Sequence, residues 1–137
     1  MTKILAYVGG SFAGAKRIRK EAERLEDYGF KVLSLWWDDE DFLEKAWDKD
    51  FGGRVAQAMA LRDFHALLDA DVFIVDTLEP STTGGRYAEL GFALARAMDK
   101  KLHIIHIGPA TNIFETLVQE HYTTWQEFFG RLDRRFQ

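Results

Sequence analysis

The sequence predicts an α/β fold of three layers, helices on both sides of a five-stranded parallel sheet. Three observations lead there. Short apolar runs alternate strictly with longer amphipathic stretches, the pattern of strand–helix–strand units. The runs are apolar almost throughout, DVFIVDT at residues 71–77 most clearly, as strands covered on both faces must be. Glycine-rich turns separate strand from helix at two places, GGSFAG and PSTTGG.

Each element can be justified in order. Residues 4–8 form a short apolar strand stopped by Gly9 and Gly10. In AGAKRIRKEAERLEDYG, Ile18, Ala22, Leu25 and Tyr28 recur at helical steps, and Gly29 suits the carboxyl-terminal stop. KVLSLWW reads as the second strand. Residues 38–53 are acidic and aromatic without periodicity and read as a long loop, with room for a helical turn near Leu43 and Trp47 and for a lid function. RVAQAMALRDFHALLDA is the second helix, DVFIVDT the third strand, GGRYAELGFALARAMD the third helix and KLHIIHIG the fourth strand. A short helix is expected over residues 112–118, a fifth strand at EHYT, and a last helix in TTWQEFFGRLDRRF capped by Thr123 or Thr124. The expected strand order is 2-1-3-4-5, flavodoxin-like and Rossmann-related. In such sheets ligands sit beyond the carboxyl ends of the strands where the order reverses, which places the loops after strands one and three around a common crevice.

Composition narrows the function. The 137 residues suit a single domain, 1–137, with its own hydrophobic core. With 47% hydrophobic and 29% charged residues the chain reads as an ordinary globular protein, and a net charge of −4 argues against nucleic-acid polymers and anionic membranes as partners. The absence of cysteine excludes disulfides, cysteine-bound metals and thiol chemistry. The apolar run in MTKILAYVGGS is too short for a signal peptide and no later stretch approaches a membrane span, so a cytoplasmic protein is expected.

The crevice loops carry the chemistry. Gly9, Gly10 and Ser11 offer backbone N–H groups and a hydroxyl before a helix, suited to a phosphate or carboxylate and equally to a tight turn. Ser81, Thr82 and Thr83 can cap the third helix or bind phosphate and sugar oxygens, and Gly84 and Gly85 let a ligand approach the backbone. Glu89, early in that helix, shares a mixed face with Gly85, Phe92, Ala93 and Arg96. It is either a surface acid offsetting the helix dipole or a partly desolvated nucleophile or base. His103 and His106 lie at an odd separation on one strand and cannot share a metal, so each reads as structural. Asp38, Asp39, Glu40 and Asp41 read as an exposed acidic loop before a cation site. Trp36, Trp37 and Trp47 can stack on a nucleobase or close the core.

Taken together, these residues resemble the nucleoside 2-deoxyribosyltransferase superfamily, including its nucleoside 5'-monophosphate N-glycosidase branch, over roughly residues 3–112. YVGGS looks like the first-strand motif, which implies that Tyr7 orients the catalytic carboxylate. RDFHALLDAD looks like the family's acidic helix segment and puts Asp63 at its first acid. GGRYAELGFAL is similar to G-x-G-x-E-L-G-x-A and puts Glu89 at the nucleophile. GPATNIF is similar to a loop whose asparagine, here Asn112, reaches a neighbouring subunit's site. Two departures shape the substrate. Thr83 stands where the transferases carry an acid, a hydroxyl-bearing loop similar to that of the monophosphate hydrolases. The second glycine of G-x-G is replaced, since the stretch reads Gly85-Arg86-Tyr87, with Arg86 as an added cation to meet a phosphate or to cover the surface.

The resemblance implies double displacement at C1' with Glu89 as nucleophile, Tyr7 holding it, Asp63 binding sugar hydroxyls or protonating the leaving base, and the two loops fixing a 5'-phosphate. It implies a small nucleotide or nucleoside as ligand, a homodimer or larger homo-oligomer, and neither a metal nor an organic cofactor. Two alternatives stay open. One is a nucleotide-binding or sensing protein without catalysis, and the other a phosphoribohydrolase of the cytokinin-activating type, whose proline-glycine-glycine motif start is missing here.

Overall fold

Strands β1 (Ile4–Gly9), β2 (Phe30–Val32), β3 (Val72–Asp76), β4 (His103–Ile107) and β5 (Glu120–Tyr122) form one parallel sheet in the order β2-β1-β3-β4-β5. The computed structural model describes residues 3–39, 52–80, 84–99 and 101–135. Helices α1 (Ala15–Glu26), α2 (Gly52–Asp69), α3 (Gly85–Met98) and α4 (Trp125–Arg135) flank the sheet. The expected three-layer fold and strand order are therefore those observed. Among the described residues no helix is long and apolar enough to cross a membrane.

The core follows from the apolar strands. Tyr7, Val8, Phe73, Ile74, Val75, Ile104 and Ile107 are fully buried between the helix layers. Helix α1 buries Ala15, Ile18, Ala22 and Leu25, the stripe that its spacing predicts. Arg24 lies over the Phe129 ring at 4.2 Å and Tyr28 stacks on it at 5.2 Å, joining the α1 end to α4. Phe64 and Phe92 stack at 4.7 Å and join α2 to α3. Gly29 takes φ +88, the left-handed geometry expected at the end of the first helix. Thr124 accepts from the Glu127 N–H at 3.1 Å and so caps α4, one of the two caps expected.

The second strand is shorter than KVLSLWW suggests. Pairing stops at Val32, and a 3-10 turn occupies Trp36–Asp38. Side chains replace the ladder there. Ser34 Oγ accepts from the Val8 N–H at 2.7 Å and donates to the Val8 carbonyl at 2.9 Å, and the Trp36 indole donates to the same carbonyl at 2.6 Å. The chain thus stays tied to β1 while turning to bring Trp36 over its carboxyl end. Glu40, Asp41, Leu43 and Trp47, in the long loop, lie outside the described residues.

Asp76 ends β3 at 0% exposure and anchors the switch point between β1 and β3. Its carboxylate accepts from the Trp125 indole at 2.7 Å, the Leu78 N–H at 3.0 Å and Arg17 at 2.9 Å. Arg17 also pairs with Glu79, holding that carboxyl below its usual range. One buried acid therefore connects α1, the β3 loop and α4. Asp76→Ala leaves the Trp125 and Leu78 donors without their acceptor, at roughly 1–3 kcal/mol for each buried group unpaired. Urea denaturation is expected to show that loss, whereas a variant as stable as wild type would contradict the anchoring role.

Candidate active site

The carboxyl ends of β1 and β3 and the facing turns of α2 and α3 enclose a cleft of about 190 Å³. Gly10, Phe12, Trp36, Asp63, Phe64, Gly85, Arg86 and Glu89 are among its lining residues. Phe12 sits edge-on to Trp36 with centroids 5.7 Å apart, so these two rings form an aromatic wall of the cleft. A wider depression of about 400 Å³ lies beside Arg54, Val55, Met59 and Arg62 and has no acid among its described lining residues.

Tyr7 and Glu89 meet at the inner end of this cleft. The sheet fixes Tyr7, which is fully buried with its ring 5.9 Å from that of Phe73, and its hydroxyl donates to Glu89 Oε2. Glu89 comes from the second turn of α3, half-buried, so the dipole-neutralising surface acid is not what the fold builds. Gly9 makes the approach possible. A Cβ there would lie 3.1 Å from Glu89 Oε1 and 3.0 Å from the Phe73 ring. Asp63 joins from α2, also half-buried.

Three acids and one cation set the electrostatics. Burial pushes the Glu89 carboxyl up to about 8, against the lowering effect of the Tyr7 hydrogen bond; the Asp63 charge raises it further and Arg62 opposes that. Tyr7 is pushed far above the ordinary phenol range by burial and by the negative charges of Glu89 and Asp63, so it stays a neutral donor. Asp63 is also raised by burial, against a hydrogen bond and ion pair from Arg62. Burial thus favours the protonated form of both Glu89 and Asp63.

The remaining expected residues divide. Gly10 lines the cleft, where a Cβ would meet Ile18 Cδ1 at 2.5 Å, so a larger residue would require the buried Ile18 side chain to shift. Ser11 is buried and caps the 3-10 turn Phe12–Gly14, accepting from the Ala13 N–H at 3.2 Å. Gly84, at φ +76, is the N-cap of α3, so that position belongs to a glycine and not to a hydroxyl. Ser81, Thr82 and Thr83 lie outside the described residues.

Arg86 is not surface cover. It is 2% exposed and donates to the Glu79 carbonyl at 2.5 Å, the Asp76 carbonyl at 3.5 Å and the Tyr87 hydroxyl at 3.0 Å. Its Nε is buried and has no partner among the described residues. The guanidinium therefore clamps the β3–α3 loop from beneath while bordering the cleft. Asn112 is remote from these groups in its bonding: its Oδ1 accepts from the Phe114 N–H at 2.9 Å and caps the short turn Ile113–Leu117.

The other candidates are structural. His106 is buried and bonds Thr77 at 2.7 Å, and His103 pairs with Glu120. Trp36 is a wall of the cleft held by its indole, with Trp37 tilted against it at 5.7 Å. Asp38 and Asp39 are paired with Arg19 and Arg62. Among the described residues no group of three or more acids and histidines is placed to hold a metal. Arg17, Asp76, Glu79 and Arg62 are the neighbours that sequence reasoning passed over. The one signal was an acid closing the otherwise apolar strand FIVD.

No protein-family model and no curated protein matches this chain. Among solved structures it is similar to the CMP N-glycosidase BcmB of Clostridium botulinum, at 20% identity and a TM-score of 0.49, covering 94% of this chain and 98% of that one.

A raised carboxyl makes a testable demand on stability. The ordinary value is 4.5 and the folded one about 8, so the fold favours protonated Glu89. Stability is unaffected below the lower value, is lost progressively as pH rises between the two, and stays reduced above the higher one. Glu89→Gln removes this loss while keeping an acceptor for Tyr7. Its melting temperature is expected to exceed that of wild type increasingly from about pH 4.5 to about pH 8.5. A pH-independent difference would show that the carboxyl is not raised.

Proposed function

We propose that this protein cleaves the N-glycosidic bond of a nucleoside 5'-monophosphate or related nucleotide, by hydrolysis or base exchange, with Glu89 as the nucleophile. The observation that carries the reading is the Tyr7–Glu89 hydrogen bond at the inner end of a cleft shared with Asp63. A phenol that cannot ionise holds one carboxylate oxygen in place, which orients Glu89 for in-line attack at C1'. As the C1'–N bond breaks, its electron pair leaves with the base, which takes a proton from Asp63 or solvent. Water then opens the glycosyl ester at C1', or a second base does so, and Glu89 returns as carboxylate. The aromatic wall of Phe12 and Trp36 suits a base, and Gly10, Ser11, Gly84, Gly85 and the Ser81–Thr82–Thr83 run supply donors for the phosphate end.

Ligand-free Glu89 must lose its proton to attack, so kcat/KM is expected to rise with pH up to about 8. Incubation with a panel of ribo- and deoxynucleotides, followed by chromatography, is expected to reveal free base from wild type and none from Glu89→Gln. Tyr7→Phe removes an interaction that lowers the carboxyl, so its acid limb is expected to move to higher pH and its rate to fall by about 10–100-fold. Wild type without turnover on any nucleotide would contradict the enzymatic reading.

One observation favours a second reading. A carboxyl protonated at neutral pH can donate a hydrogen bond to a bound nucleotide instead of attacking it, as a sensing protein requires. Saturable binding without base release, retained in Glu89→Gln, would select that alternative.

The homo-oligomer implied by the resemblance belongs to the same proposal. Exposed Ile113, Phe114 and Leu117 beside Asn112 support it. Sedimentation is expected to give a species of at least twice the chain mass, and a monomer at high concentration would count against it.

A further inference from the structure

Arg62 immediately precedes Asp63 on α2, and the chemistry above gives it no part. Its guanidinium, one-third exposed, joins two carboxylates. Nε and Nη2 donate to Asp63 Oδ1 at 3.2 and 3.0 Å, while Nη1 donates to Asp39 Oδ1 at 3.4 Å and Nη2 to Asp39 Oδ2. Asp39 is 9% exposed and directly follows the Trp36–Asp38 turn that carries the aromatic wall. The same cation bears on Glu89 and Tyr7 against the charge of Asp63.

We propose that Arg62 is a positioning residue for the cleft: bridged between Asp63 and Asp39, it fixes the Asp63 carboxylate beside the Tyr7–Glu89 pair and ties that turn of α2 to the Trp36 wall. A planar fork with several donors can span two carboxylates, which a lysine ammonium on a flexible stem cannot do with the same geometry. Charge and geometry are therefore separable. Arg62→Lys keeps the charge and loses the bridge, Arg62→Gln loses both, and Asp39→Asn keeps the Arg62 charge, removes that of Asp39 and weakens one anchor.

Among the described residues, Tyr7 from β1 and Asp63 and Arg62 from α2 act on Glu89, Arg86 lines the same cleft, and Asp39 lies behind Arg62. Removing the Arg62 charge leaves the acids unopposed from α2, so the Glu89 midpoint must rise. The catalytic half of the proposal rests on the N-glycosidase reading, and the electrostatic half does not.

The test has two arms. In the ligand-free protein, carbon-13 NMR of the glutamate side-chain carboxyls follows Glu89, assigned by the signal that Glu89→Gln lacks. Arg62→Gln is expected to raise its midpoint by about half a unit to one unit, and Arg62→Lys to leave it near wild type. With a turned-over nucleotide, Arg62→Lys and Asp39→Asn are expected to lower kcat about tenfold with little change in KM, because Asp63 and the wall are no longer held in register. A purely structural Arg62 would lower the melting temperature in all three variants without moving the midpoint, and that result overturns the proposal. So does an Arg62→Lys enzyme with wild-type kcat. Absence of turnover in wild type would refute the N-glycosidase reading alone, since the titration arm still decides whether Arg62 governs the charge of the pair.

Discussion

The hydrogen bond from Tyr7 to Glu89 is the contact on which the rest of the site depends. It joins β1, an inner strand of the sheet, to helix α3. Each end has its own support. Tyr7 is fully buried and held by pairing with Phe73 of β3 and by contact with the Phe73 ring, so its hydroxyl has one place to be. Glu89 is brought down by α3, whose loop Arg86 clamps through backbone carbonyls, and Gly9 leaves the space that its carboxylate fills. The buried pair cannot form unless loop, helix and strand are all in register.

Its electrostatic consequence is a site that holds protons tightly. Desolvation alone disfavours charge on Glu89, and a second acid at Asp63 deepens the effect. Tyr7 relieves it by donating, and Arg62 by charge, neither fully. In the proposed reaction, a carboxylate held in this state would be poorly solvated and therefore reactive once ionised.

Much of this was legible in the sequence, for identifiable reasons. The apolar strands and the glycine punctuation specify the sheet and its order, because covered strands and tight turns leave composition behind them. Tyr7 and Glu89 bond each other, and Asp63 borders the same cleft as Glu89, because the end of β1 and the facing turns of α2 and α3 border one crevice. The short β2 was not legible, because Ser34 and Trp36 replace backbone pairing with side-chain bonds that no periodicity records. Nor was the buried position of Arg86, whose partners are carbonyls of its own loop, or the network of Arg17, Asp76 and Glu79, whose members are distant in the chain until the fold joins them.

The central claim is that Glu89 becomes covalently bonded to the sugar. Rapid acid quench of wild-type protein with a turned-over nucleotide, followed by peptide mass spectrometry, addresses this directly. A sugar-phosphate adduct on the peptide containing Glu89, absent from Glu89→Gln, is the expected result. Base release with no adduct at Glu89, or with the adduct on another residue, would contradict it.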